Sequence, residues 1–280
     1  MKTGNIILLA AVLVLCQCKK DSEEPYPNEN IVMDNAQAAL YFHTVFREAE
    51  YAWAFIDSKG YKEGTYTDDA NRVAGSKELI YNENTKIVTI KYHIWETNHL
   101  TLAGSMDVKF GVSSYRDDGQ IANVYLTDLS INWQTVVGES AIKYRKGENS
   151  ANDYYMYTLL EGAAIHEEGG SMPVLISSTI TNGQYERIEG CETLMQGDDL
   201  WAFSGVMTGL LHNDPNLKYT NTVIPNYTLN GESKNGRIYY TMNCKLAKQG
   251  FSQITIAKRP DIFFEYDCSK YNFVSVTQVQ

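Results

Sequence analysis

This 280-residue chain has no apolar stretch long enough to cross a bilayer as a helix. Its apolar run, Ile6 to Leu15, is about half the roughly 20 residues a spanning helix needs. Positive charge is short: 24 Lys and Arg stand against 34 Asp and Glu. An acidic chain offers no basic face for phosphate, so nucleic acid is not an expected partner. Cysteine is scarce. Five are present, and two of them, Cys16 and Cys18, sit at the end of the apolar run. The remaining three, Cys191, Cys244 and Cys268, are an odd number, so one internal pair is the most they can form.

Signatures of catalysis are also missing. A nucleophile elbow needs G-x-S-x-G, whereas Ser204 in "FSGVMTG" has no preceding glycine and sits in a strand pattern. "FGVSSYR" lacks that glycine too. The histidines are His43, His93, His99, His166 and His212, and none has a common zinc-ligand spacing. In "IHEEGG", His166 stands beside Glu167 and Glu168, which reads as a solvated turn. The acid pairs Asp117–Asp118 and Asp198–Asp199 stand beside glycines and read as turns. There is no phosphate-cradling glycine loop, no dinucleotide fingerprint and no calcium loop. No metal or cofactor is expected, and the chain is not read as an enzyme. A glycan hydrolase built on two carboxylates about 5 to 10 Å apart stays open as an alternative, because spacing in sequence does not reveal such a pair.

What is present begins at the amino terminus. Lys2, the apolar run and then "CQCKKDSEE" read as a bacterial lipoprotein signal over residues 1–17. Cys18 is expected to become the acylated first residue, with Cys16 the alternative. Acyl chains then hold the protein on a membrane at about 0.8 kcal/mol per buried CH2. Residues 18–32, with Pro25 and Pro27, read as the acylated cysteine and a polar tether. Residues 33–57 follow. There Ala38, Tyr41, Phe42, Val45, Ala49, Ala52 and Phe55 recur at helical spacing, with Asp34 or Asn35 as a cap and Gly60 as a stop. Residues 58–77 read as a connecting loop.

From 78 to 280 the period changes to 2. "KELIYNENTKIVTIKYHIW" reads as a hairpin, with Val88, Ile90 and Tyr92 on one face. Further short strands follow to the end of the chain. "RDDG", "KGENSAND", "EEGG", "TNG", "HNDPN" and "NGESKNG" are expected turns between them. The expected fold is mainly β: an antiparallel meander or a curved sheet or sandwich, with one amphipathic helix packed on it as a single structural unit. The 20 tyrosines are expected to lie half-buried on strands.

The last stretch, "CKLAKQGFSQITIAKRPDIFFEYDCSKYNFVSV", has a distinctive layout. Cys244 is followed by Gly250, an alternating strand through Ile254 and Ile256, a Lys-Arg-Pro turn, an aromatic strand ending at Tyr266 and Asp267, and then Cys268. With "NENTKIVTIKY", "SSTITNGQYERIEG" and "DDLWAFSGVMTG" in order before it, the chain resembles exported lipoproteins of unknown function from Bacteroidota. The resemblance implies an all-β, lipid-anchored protein of the cell envelope, on the outer membrane, with the side left open. Together with the chemistry of the site it points to a disulfide between Cys244 and Cys268, if the strands around them are neighbours. Cys191 would be left over.

A non-enzymatic binding or structural role follows. The ligand would be a glycan, a peptide or a lipid, and the aromatic candidates for a binding face are Trp95, Trp133, Tyr154, Tyr155 and Trp201. An alternative is a carrier of an apolar ligand held between helix and sheet.

Overall fold

The computed structural model describes residues 29–69, 72–97, 99–111, 119–145, 154–167, 175–190, 196–211, 214–223, 226–229, 232–244, 246–268 and 273–277. Cys16, Cys18, Cys191 and His212 lie outside them.

One helix, α1, runs over Glu29–Ser58. It begins before the expected cap, so Asn35 is a buried interior residue of the helix. Its end is the one the sequence signals. Gly60 adopts φ 66°, the Gly60 amide donates to the Asp57 carbonyl at 2.8 Å, and the Tyr61 amide donates to the Ile56 carbonyl at 3.1 Å. Together these bonds close a Schellman cap, in which the left-handed residue turns the chain back without a Cβ clash.

Among the described residues, sixteen strands account for most of the rest. They are β1 (Gly64–Asp68), β2 (Ala74–Asn82), β3 (Ile87–Glu96), β4 (Thr101–Phe110), β5 (Ile121–Ile131), β6 (Gln134–Arg145), β7 (Tyr154–Glu167), β8 (Leu175–Glu189), β9 (Leu200–Leu211), β10 (Asp214–Val223), β11 (Asn226–Leu229), β12 (Glu232–Asn235), β13 (Ile238–Tyr240), β14 (Gln249–Ile256), β15 (Ile262–Asp267) and β16 (Phe273–Thr277). Strands β1 to β10 pair antiparallel with their chain neighbours, and β14, β15 and β16 continue the same sheet. β13 lies between β9 and β14 beyond the end of β10. β11 and β12 form a separate two-stranded sheet.

The segment read as a loop contains β1 and the start of β2. Asn132 and Trp133 form the tip of the β5–β6 hairpin, and β6 then runs unbroken to Arg145. Several expected turns change: "NGESKNG" holds β12, "HNDPN" runs into β10, and His166 and Glu167 of "IHEEGG" end β7. "TNG" is not a turn between strands. It lies inside β8, where the register against β9 shifts between Thr181 and Gln184 and Asn182 takes φ 51°. A bulge absorbs the turn chemistry without ending the strand.

The helix does not lie on one face of the sheet. Every residue from Ala38 to Ala54 is buried, which is nearly five turns with no exposed side. Its side chains reach the sheet in all directions: Lys77 of β2, Tyr92 of β3, Phe110 of β4, Gln134 of β6, Tyr185 of β8, Trp201 of β9 and Tyr240 of β13. It also runs close to β16. The sheet therefore curls around the helix. About eight strands make a tube that side chains alone can fill, and more strands leave a lumen. Here the helix fills it. For the same reason the tyrosines are deeper than expected: Tyr81, Tyr144, Tyr185, Tyr240 and Tyr266 are fully buried, because a wide interior needs large side chains.

Near the end of the chain, Gln249 pairs with Asp267, and the Cys268 amide donates to the Lys248 carbonyl at 3.1 Å. That pairing brings Cys268 beside the segment before β14. Cys244 and Cys268 lie at disulfide distance, with Cα atoms 5.7 Å apart and a sequence separation of 24. Closing a loop of this size stabilises by about 3 kcal/mol in the chain-entropy account. Replacing both cysteines by serine should lower the unfolding free energy by about that amount. Urea denaturation, compared with that of the oxidised wild type, measures it.

Candidate functional site

The interior of the tube holds the densest chemistry among the described residues. On the helix, Arg47, Glu48 and Glu50 are buried charges. Lys77, on the inner face of β2, is 1% exposed. Its Nζ lies 3.3 Å from Glu48 Oε2 and 2.9 Å from Asp68 Oδ2. The same ammonium sits over two rings, 4.3 Å from the Tyr51 centroid and 4.5 Å from the Trp95 centroid. Tyr92 Oη donates to Glu48 Oε2 at 3.0 Å, and Arg47 Nη2 donates to Glu48 Oε1 at 3.2 Å. Burial by itself would raise the Glu48 carboxyl. Lys77, Arg47 and the Tyr92 hydroxyl outweigh it and hold the group below its ordinary range.

A second cluster is reached from another side of the helix. Arg187 of β8 donates through Nη2 to Asp199 Oδ1 at 2.5 Å and lies 3.8 Å from Glu50 Oε1. Trp201 Nε1 donates to Asp199 Oδ2 at 3.3 Å, and the Arg187 guanidinium carbon is 5.4 Å from the Trp201 ring centroid. Burial pushes the Asp199 carboxyl up despite Arg187.

These clusters change the reading of the aromatic candidates. Trp95 and Trp201 are buried, at 0% and 1% exposure, and their rings face the protein's own cations. They cannot form an exposed platform. Trp133 is 59% exposed at the tip of the β5–β6 hairpin. Tyr154 and Tyr155 open β7, opposite Arg145 and Tyr144, and their side chains lie outside the described residues. The five candidates are therefore not one surface.

A small recess lies beside the helix. His43, Thr44 and Arg47 of the helix, Thr97 and His99 between β3 and β4, and Tyr240 line it. Its free volume is ≈ 20 Å³ for water centres, enough for about one water molecule. His43 Nδ1 and Arg47 Nε are buried there without a hydrogen-bond partner among the described residues. A water with two polar neighbours fits such a place. The His43 ring stacks on Tyr240, with centroids 4.1 Å apart and planes at 9°. Burial, helped by the nearby Arg47, lowers its pKa well below 6.5, so the imidazole is neutral in the folded protein.

Among the described residues no cluster of three or more His, Cys, Asp or Glu could hold a metal ion. Ser204 is in the middle of β9. His93 is exposed and lies 3.7 Å from Glu78. Sequence reasoning missed the buried charges because it gave the helix one apolar face, which placed Arg47, Glu48 and Glu50 in water. One signal was available: Leu40, Tyr51 and Phe55 lie on the side of the helix away from Phe42 and Ala49, so apolar residues occur all round it.

No protein-family model matches this chain, and no curated protein or solved structure matches it. Its reading rests on its own residues.

Lys77→Met removes the cation between Glu48 and Asp68 and should cost about 3 to 5 kcal/mol. The same change at exposed Lys91 should stay within about 0.5 kcal/mol. Urea denaturation separates the two. His43 sets a pH dependence. Unfolded, the imidazole takes up a proton below its ordinary value of 6.5, and folded it does not. Stability is therefore full above that value and falls by about 1.4 kcal/mol per pH unit well below it. His43→Phe should flatten this slope between neutral pH and the carboxylate range.

Proposed function

We propose that this chain is a lipid-anchored, non-enzymatic protein of the cell envelope with a binding or structural role. The observation that carries the reading is the filled interior. Among the described residues, helix, aromatic rings and ion pairs occupy the tube, and the recess beside His43 holds about one water. That weighs against the carrier alternative, which needs an apolar cavity between helix and sheet. The interior acids weigh against a glycan hydrolase. Glu48 and Asp68 flank Lys77, and Glu50 and Asp199 flank Arg187, all of them buried. Acids held by a buried cation have no cleft in which to meet a sugar. A ligand, whether glycan or peptide, would have to bind on the outside or at the rim.

The anchor follows from the apolar run and "CQCKKDSEE". Metabolic labelling with an alkyne fatty acid in a bacterial host tests it. The full chain should be labelled and fractionate with membranes. Cys18→Ser should abolish the label, and Cys16→Ser should keep it. Loss only in Cys16→Ser would move the acyl group to that residue. An unlabelled wild type would overturn the anchor.

A further inference from the structure

Four large hydrophobic residues are exposed among the described residues: Val73, Ile94, Ile121 and Trp133. Ile121 starts β5 at one end of the tube. The other three share the opposite end. The Val73 amide donates to the Glu96 carbonyl, and Glu96 pairs with Thr101. The Thr101 amide donates to Asn132 Oδ1 at 2.9 Å, and the Asn132 amide donates back to the Thr101 carbonyl at 2.8 Å. This run of neighbours is a rim across β2 to β6, with Val73, Ile94 and Trp133 65%, 51% and 59% exposed on it.

Two of the three are held there at a backbone cost. Asn132 and Trp133 take φ 50° and 68° at a two-residue hairpin tip, a place that suits Asn-Gly. Ile94 takes φ 49°, a conformation that is an outlier for a β-branched residue. It sits in a bulge opposite Gly75, whose φ is 80°. A Cβ on Gly75 would lie 2.0 Å from the Ile94 carbonyl oxygen, so the bulge requires glycine. The fold accepts strain here and presents apolar side chains to solvent.

The amino-terminal part of α1 comes to the same rim. Gln37 donates to Gln134 Oε1 at 2.7 Å, and Tyr41 Oη donates to the same oxygen. The carboxyl-terminal part lies at the other end, where Trp53 stacks on Phe110 and Tyr61 meets Tyr81. The chain ahead of Glu29 therefore leaves from the rim end. From Cys18 to Glu29 is eleven residues, which reach about 40 Å at most. The helix itself spans about 45 Å, so the far end of the tube lies near the limit of that reach and the rim is the end that a short tether holds nearest the membrane.

We infer that the Val73–Ile94–Trp133 rim is a membrane-contacting surface, docked end-on at the lipid interface by the short acylated tether. This rests on the anchor proposed above. A Trp with a wet edge and an apolar body suits the headgroup level. The outer wall does not suit lipid: Lys91, Lys109 and Glu139 point outward from β3, β4 and β6. The tube thus meets the bilayer with its end and does not span it.

The test uses the full acylated chain, reconstituted in vesicles containing lipid brominated just below the headgroup. Trp53, Trp95 and Trp201 are buried, so Trp133 is the tryptophan positioned to respond. Wild-type emission should be blue-shifted and quenched, and Trp133→Phe should lose that quenched component while remaining folded and vesicle-bound. Equal quenching in both proteins, or none in either, with the acyl chain confirmed by intact mass, overturns the rim and leaves the anchor standing. An intact mass without an acyl chain overturns the anchor, and this placement with it.

Discussion

The enclosure of one helix by the sheet is the constraint on which everything else depends. A helix surrounded on all sides can satisfy its backbone internally, but its charged side chains cannot reach water. Each must find a partner on the wall. Glu48 finds Lys77 and Tyr92, and Glu50 finds Arg187. Lys77 in turn needs Asp68, and Arg187 needs Asp199. Partners on β1, β2, β3 and β8 are thereby referenced to two residues of one helix. Apolar packing tolerates sliding; ion pairs in a dry interior do not. The pairs fix how the helix is rotated and how far it is inserted.

The same constraint bears on the function proposed. A curled sheet of this many strands would leave a lumen, and a lumen invites a ligand. Here it is occupied by the protein's own chain, and Trp95 and Trp201 face the protein's own cations. Under the proposed reading, any ligand binds on the outside or at the rim. At the rim, exposed side chains sit on strained backbone, the reverse of the economy seen inside. Strain persists where the surrounding structure over-determines it, and it is concentrated where an element has a task.

Much of the fold is legible in sequence. The β2–β3 hairpin reads clearly because Val88, Ile90 and Tyr92 alternate with exposed or half-exposed partners, and "NENT" can only turn. Gly60 marks the end of the helix because a left-handed residue is needed there. The pairing of Cys244 with Cys268 follows from the layout of the last strands. The enclosure is not legible. A helical period shows which residues share a face, and a sheet around the helix makes every face an interior one. The strand at Gly64–Asp68 is hidden by its surroundings: Thr65, Tyr66 and Thr67 suit a strand but are only three residues among Gly, Lys, Glu and Asp, and pairing with β2 decides their state. The buried ion pairs join residues far apart in sequence, such as Glu48 with Lys77 and Arg187 with Asp199, and no local pattern announces them. Of the aromatic candidates, residue type alone cannot separate Trp133 from Trp95. What separates them is a hairpin tip in one case and an inner strand face in the other.

Native-state hydrogen exchange of the helix tests the enclosure most directly. An enclosed helix can open only when the sheet opens. The amides from Ala38 to Ala54 should then exchange solely through global unfolding, with the same free energy and denaturant dependence as the amides of β3 to β5. If the helix amides exchanged at a markedly lower free energy while those strands stayed protected, the helix would be a lid on the sheet, and the account of a filled tube would be wrong.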